Sequence, residues 1–290
     1  MDLHLLNIFR MVARLGSISQ AAKELQYAQS NITMKIQQLE KSLQSPLFYR
    51  YNRGMTLTDK GSLLLAYSEK IFHLIEETEA AMKDDQTPDG SLIIGSMETT
   101  AAVRLPPFLS TYHQTFPKVD LTLKTGPTEQ NIQGVLQHQI DGAFIAAPVE
   151  HPALIQKEVF EEEMVLITDT KHPDISSIED IQTDTILVFR SGCAYREKLE
   201  HWLHQEGLIP AKIMELGTME AIIGCVSAGL GLSLLPLSVV SKYIQERSLK
   251  QHSIPHPYEK VKTIFIYRKD RYIPASLTAF INLFPEKVKS

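Results

Sequence analysis

Apolar positions over the first 45 residues recur at helical spacing. Leu5, Ile8, Phe9 and Val12 share one face of a helix predicted over residues 3–14, and Gly16 ends it. Ser17-Ile-Ser-Gln20 has the form of a capping box, which starts a short second helix over 18–25 carrying the small pair Ala21-Ala22. A third helix over 29–43 follows a brief turn. It places Ile32, Ile36, Leu39 and Leu43 inward and Gln29, Ser30, Thr33, Met34 and Gln37 outward, and Pro46 stops it. The run PLFYRYNRGMTLT then reads as two short extended segments joined by a turn at Asn52-Arg53-Gly54.

From residue 59 to 83 the spacing is again helical. Leu64, Tyr67, Ile71, Leu74, Thr78 and Ala81 form a narrow stripe of period 3.5, flanked by Glu76, Glu77 and Glu79, and such a stripe suits a two-helix dimer seam. The polar stretch DDQTPDG (84–90) reads as a hinge. Beyond it strands and helices alternate. Strands are expected at 91–96, 119–126, 142–148, 163–169, 185–189, 212–216 and 263–270, and helices at 100–115, 128–138, 194–206 and 218–228. The strand–helix–strand module repeats after the midpoint, so the expected body is an α/β domain of two similar lobes with a cleft between them.

Charge sharpens this division. Residues 1–60 hold eight basic and four acidic side chains, while the remaining 230 hold 21 basic and 30 acidic, so a head of +4 precedes a body of −9. A basic head on an acidic protein suits contact with a polyanion through the head alone. The apolar fraction of 43% is ordinary for a globular chain, and 290 residues suffice for about two domains. The N-terminus lacks the basic-then-apolar order of a signal peptide, and no run reaches the ~18 apolar residues of a membrane helix, which predicts a reduced, cytoplasmic, soluble protein.

Catalytic signals are thin. There is no phosphate-binding GxxxxGK[ST] loop and no GxSxG elbow. The glycine-rich run 224–231 lacks the GxGxxG order and reads as a helix end with a turn into a strand. His201 and His204 share a helical turn without a third ligand nearby, so they read as bystanders and no metal or other cofactor is expected. Cys193 precedes a helix near Arg196; it is either a reactive thiol, paired or not with Cys225, or a buried inert one. With no nucleophile–base set, an enzyme is disfavoured.

The head carries the stronger constellation. Two helices joined by a short turn, the second exposing Gln29, Ser30, Thr33 and Gln37, make a helix-turn-helix whose second helix enters the major groove. Glutamines pair bidentately with adenine, and hydroxyls serve several base edges. Ser17 caps the preceding helix, and Arg50 and Arg53 flank a hairpin suited to phosphates or the minor groove.

The run GSISQAAKELQYAQSNITMKIQQLEKSLQSPLFYRYNRGMTLTDKG resembles the winged helix-turn-helix of LysR-type bacterial transcription regulators. The matching features are Gly16-Ser17, Ala21-Ala22, Gln29-Ser30, Leu39-Glu40, Pro46-Leu47-Phe48, Arg50, Arg53-Gly54 and Leu57-Thr58 with Gly61. The sequence departs from the family at Ala28, where a capping Ser or Thr is usual, and at Gln44, often glycine. It departs again at Met34, a position usually basic or polar, where readout turns toward a thymine methyl.

The resemblance implies an all-α winged helix-turn-helix head (1–58), a linker and dimerisation helix (59–83), the hinge (84–90) and a periplasmic-binding-protein-like effector domain (91–290). Lobe I would comprise 91–161 plus 268–290, and lobe II 162–267. The cleft would be lined by residues within 96–100, 125–128 and 146–148 on lobe I, and within 191–196 and 217–219 on lobe II. The named candidates are Ser96, Glu98, Thr99, Thr100, Thr125, Thr128, Ala147, Ser191, Cys193, Arg196 and Thr218. Residues 96–100 lie between a strand and a helix start, which favours an anion; Arg196 suits a carboxylate, and Glu98 calls for a cationic or neutral donor group on the effector. The expected partners are double-stranded DNA at an interrupted palindromic operator, a small-molecule effector, further copies of the chain as a homodimer or homotetramer, and RNA polymerase, with no membrane. A transport solute-binding protein is the alternative use of the same body, disfavoured by the basic head.

Overall fold

The computed structural model describes residues 2–51, 54–82, 87–269 and 272–284. The chain divides into two units, residues 1–82 and 83–290. In the first, α1 (Leu3–Leu15), α2 (Ile18–Glu24) and α3 (Gln29–Leu43) precede an antiparallel hairpin, β1 (Phe48–Tyr51) and β2 (Gly54–Leu57), and then the long α4 (Asp59–Met82). The first two starts have a local cause. Asp2 accepts the His4 N–H at the head of α1, and the Ser17 hydroxyl accepts the Gln20 N–H at the head of α2. Gly16 sits at φ +61, and its carbonyl accepts the Met55 N–H, tying the hairpin to the end of α1.

The core of this unit joins Ile8, Phe9 and Val12 of α1 to Ala21 and Ala22 of α2 and to Ile32, Ile36 and Leu39 of α3. Two expectations shift. Leu43 is 38% exposed rather than buried, because α3 runs past the core before Gln44 ends it. Leu64 packs with Leu65 against the head core, so it is no part of an outward seam. The exposed apolar row on α4 instead runs through Leu63, Tyr67 and Leu74, with Ile71 half-buried between them. On another side α4 is held to α1, where Arg10 pairs with Glu69 at 3.2 Å and lies 4.2 Å over the Phe72 ring. Residues 83–86 of the expected linker and hinge lie outside the described residues, and the first strand of the body already starts at Gly90.

The second unit has two lobes. In lobe I, β3 (Gly90–Ser96) lies parallel to β4 (Val119–Thr125) and β5 (Gly142–Ala146). The expected helix over 100–115 is two, α5 (Glu98–Val103) and α6 (Pro106–Thr115). Pro106 and Pro107 cannot donate the N–H groups that would continue the first, and they start the second. Then α7 (Thr128–Leu136) leads to β5, and β6 (Leu154–Thr168) runs on for 15 residues. Its first part pairs with β11 (Lys260–Arg268), which also pairs with β5. The strand expected at 163–169 is thus the tail of a longer one. Its first part alternates half-buried residues with the exposed Gln156, Glu158 and Glu161, and cross-strand pairs such as Lys262–Glu158 at 2.8 Å hold it. The assignment of 260–267 to lobe II is corrected by the same pairing, since Thr263 to Tyr267 are hydrogen-bonded in register with β5 of lobe I. An aromatic core of Tyr112, Phe144, Phe265, Phe280 and Phe284 closes one face of this sheet, the last two supplied by α11 (Ala275–Asn282) and the turn after it.

Lobe II takes over the end of β6, which pairs with β9 (Ser233–Pro236) and β10 (Lys250–His252). The parallel pair β7 (Thr185–Phe189) and β8 (Lys212–Leu216) joins through bonds between Leu232 and both Thr185 and Leu187. Around them pack α8 (Ala194–Gln205), α9 (Met219–Ser227) and α10 (Leu237–Gln245). Where β6 passes from one lobe to the other, Glu162 is buried. It receives Nε and Nη2 of Arg104 at 2.7 and 3.0 Å and the Ser238 hydroxyl at 2.7 Å.

Candidate functional site

On α3 the side chains of Gln29, Ser30, Met34 and Gln37 are exposed, and Thr33 is half-buried with its hydroxyl donated to the Gln29 carbonyl at 2.9 Å. The opposite face, Ile32, Ile36 and Leu39, is wholly inaccessible. This turns a polar row outward from a helix fixed rigidly from behind. Ser17, half-buried, is spent on its cap and on Ser19, whose hydroxyl lies 2.9 Å away, so it holds α2 in place. Arg50 stands on β1 and contacts Glu40 at 3.4 Å, and Arg53 lies outside the described residues. The hairpin also exposes Tyr49 and Tyr51, which the sequence reading passed over.

The hairpin is anchored by a set of polar contacts. Glu40 Oε1 accepts the Leu47 N–H at 2.8 Å, the Thr58 hydroxyl donates to the Pro46 carbonyl at 2.8 Å, and the Gly61 N–H donates to Thr58 Oγ1 at 2.9 Å. Gly61 is where α4 passes over Leu47, and a Cβ there would lie 2.1 Å from the Leu47 carbonyl oxygen.

In the body a cleft of about 340 Å³, within the ordinary small-ligand range, opens between the lobes. Of the expected residues, Glu98, Thr99, Thr125, Thr128, Ser191 and Cys193 line it. Thr99 meets the Tyr195 hydroxyl across the lobes at 3.2 Å, and Glu98 Oε1 accepts the Met219 N–H at 3.2 Å. Burial raises the pKa of both Cys193 and Tyr195, which keeps thiol and phenol protonated.

Five expected residues lie outside the lining. Ser96 is fully buried and donates its hydroxyl to the Met97 carbonyl, and Thr100 is buried beside it. The Ala147 N–H is bound to the Lys262 carbonyl, and Thr218 caps α9 by accepting the Ala221 N–H. Arg196 is consumed by Glu200 and Glu215, each at 2.7 Å, and by the Phe189 carbonyl at 3.2 Å. In its place Arg190 reaches the cleft from the end of β7, beside Phe189, and Gln130 enters from α7. The signal for Arg190 was its place just past the carboxyl end of a parallel strand, where open α/β sheets gather ligand groups. His201 and His204 stand exposed on α8, and among the described residues no three His, Cys, Asp or Glu gather as metal ligands.

Residues 3–62 match the family model described as a bacterial regulatory helix-turn-helix protein of the lysR family, and residues 85–289 match the LysR substrate binding domain. The chain belongs to the LysR family. As a LysR-type transcriptional regulator it is 57% identical over 281 residues to the HTH-type transcriptional regulator GltR of Bacillus subtilis (strain 168), covering 97% of this chain and 95% of that one. It is 45% identical over 286 residues to CzcR of Bacillus anthracis, covering 99% and 98%. The crystal structure of full-length CbnR with its target DNA has the same fold, at TM-score 0.71, 23% identity and coverage of 98% and 99%. These relatives are transcriptional regulators and not transport proteins, which removes the solute-binding alternative.

The departures from the LysR pattern have structural counterparts. Ala28 opens α3 with no side-chain cap, and Gln44 closes it at φ +51, in the left-handed region that favours glycine. Ala28→Ser is expected to add about 1 kcal/mol to head stability. Gln44→Gly should add a similar amount, about 1 kcal/mol, by relieving the left-handed strain. Thermal melts of both variants check this, and an unchanged midpoint for Ala28→Ser would show that water already serves the open N–H groups.

Proposed function

We propose that this LysR regulator binds double-stranded DNA as a homodimer or homotetramer and responds to a small molecule held in the interlobe cleft. α3 occupies the major groove, with Gln29, Ser30, Thr33, Met34 and Gln37 toward the bases and Arg50 and Arg53 toward phosphates. The observation that carries this is the division of α3 into a wholly buried apolar face and an exposed polar row. CbnR, of like fold, is crystallised with its target DNA, which supports the reading. Residues 1–58 are the DNA-binding part, 59–82 the linker and dimerisation helix, and the effector domain begins with β3 at Gly90, the hinge lying between. No helix among the described residues is long and apolar enough to cross a membrane, which fits a cytoplasmic regulator in reach of RNA polymerase.

Two recognition helices related by a twofold axis require an interrupted palindromic operator. The test is selection of operator fragments from genomic DNA, then gel shifts at two salt concentrations. Affinity should fall steeply with salt for wild type, and Gln29→Ala should relax sequence preference without changing the salt slope. Tyr67 and Leu74 are 55% and 50% exposed within one chain, so Tyr67→Glu with Leu74→Glu should leave each chain folded while yielding monomers by light scattering. A double variant that stays dimeric would remove the α4 row from the assembly.

A further inference from the structure

Among the residues lining the cleft, Arg190 is the one cation and Glu98 the one anion, from opposite lobes, with the Glu129 carboxylate outside the lining beside Gly192. Arg190, exposed at the end of β7, makes no hydrogen bond or ion pair with any described residue. A Cβ at Gly217 would lie 3.1 Å from its Nη2, so the bare backbone there leaves the guanidinium its room. On the lobe I side of the cleft, Glu98 commits Oε1 to the Met219 N–H and leaves Oε2 without a bond to any described residue. The other titratable groups of the lining, Cys193 and Tyr195, stay neutral.

A simple anion would satisfy Arg190 but sit beside a carboxylate. A simple cation would meet the reverse. A neutral ligand would take water from both charges and return nothing, and desolvating an unpaired charge is costly. Only a ligand carrying both signs pairs each group, through charge-assisted hydrogen bonds roughly twice as strong as neutral ones. We infer that the effector is a small aminocarboxylate, its carboxylate on Arg190 and its ammonium on Glu98. Thr125, Ser191 and Gln130 offer hydroxyls and an amide to a polar side chain. This inference rests on the cleft being the effector site.

The test titrates full-length protein by calorimetry with the common L-amino acids, β-alanine and 4-aminobutyrate, each beside its deaminated acid and its decarboxylated amine. At least one aminocarboxylate should bind ~30-fold more tightly than either of its analogues, and Arg190→Gln and Glu98→Gln should each weaken it by a similar ~30-fold. A crossed gain separates this from simple damage. Glu98→Gln should bind the deaminated acid more tightly than wild type does, and Arg190→Gln should do the same for the amine. Analogues that bind as well as their parents, an absent crossed gain, or no aminocarboxylate binding at millimolar concentration would overturn the inference. Thr125→Trp, which fills the cleft, separates the two readings. A different class of effector recovered by metabolite screening and lost in Thr125→Trp overturns the aminocarboxylate and leaves the cleft. One still bound by that variant overturns the cleft itself.

Discussion

Gly61→Ala should destabilise the head by about 3 kcal/mol or more, whereas Gly224→Ala should stabilise the body by roughly 0.5–1 kcal/mol. Both glycines lie inside helices, where propensity alone favours alanine. The surroundings decide the sign. At Gly61 the added Cβ would stand 2.1 Å from the Leu47 carbonyl oxygen and 2.9 Å from Leu57 Cδ2, and a carbonyl in the turn before the hairpin cannot yield as a flexible side-chain tip can. At Gly224 nothing lies within 4 Å. A loss of this size is a large share of the ~5–15 kcal/mol that holds a domain of this kind together. Gly61→Ala should therefore abolish operator binding while leaving the melt of residues 83–290 in place. A Gly61→Ala head that melts at or above the wild-type temperature would show that α4 does not cross Leu47 so closely.

Arg104→Leu should destabilise the body by about 3 kcal/mol, and more than Glu162→Leu does. The asymmetry follows from exposure. The Glu162 side chain is 4% exposed and the Arg104 side chain 37%. Removing the arginine strands a carboxylate in the interior with, among the described residues, only the Ser238 hydroxyl bonded to it, whereas removing the glutamate leaves a guanidinium that turns to water. For a body of about 200 residues a 3 kcal/mol loss lowers the midpoint by roughly 6–12 °C. The double variant Arg104→Leu/Glu162→Leu should cost less than Arg104→Leu alone, because no charge is left unpaired. Calorimetric melts of the three variants measure this, and strictly additive losses would mean the pair contributes nothing as a pair.

The head was legible because its determinants are local. Periodic apolar residues, the Ser17 cap and Gly16 each act within one or two turns of chain, and α1 to α3 form where those signals place them. Which face of a helix is covered depends on distant neighbours instead. Leu64 fits a seam on spacing alone, yet the head core claims it. The first part of β6 was unreadable for a related reason. Glu158 and Glu161 sit there because Lys262 and Lys260 of β11 face them, about a hundred residues later. The two arginines near the cleft make the same point at the site. Arg190 and Arg196 both follow β7 closely in sequence, and only the fold reveals that Glu215, on a neighbouring strand, has already taken Arg196.

Lobe I is finished by the last part of the chain. Every residue of β5 is buried, and one of its two edges is covered only by β11, while α11 and Phe284 complete the aromatic core. A ribosome releasing this chain from its N-terminal end therefore emits the whole of lobe II before lobe I can close. For that interval the nascent protein displays one open edge of an apolar strand, the kind of edge that recruits chaperones or other chains. Products truncated anywhere before residue 260 would keep that edge permanently. They would be cleared or aggregate, and so could not persist as half-formed regulators competing for the operator.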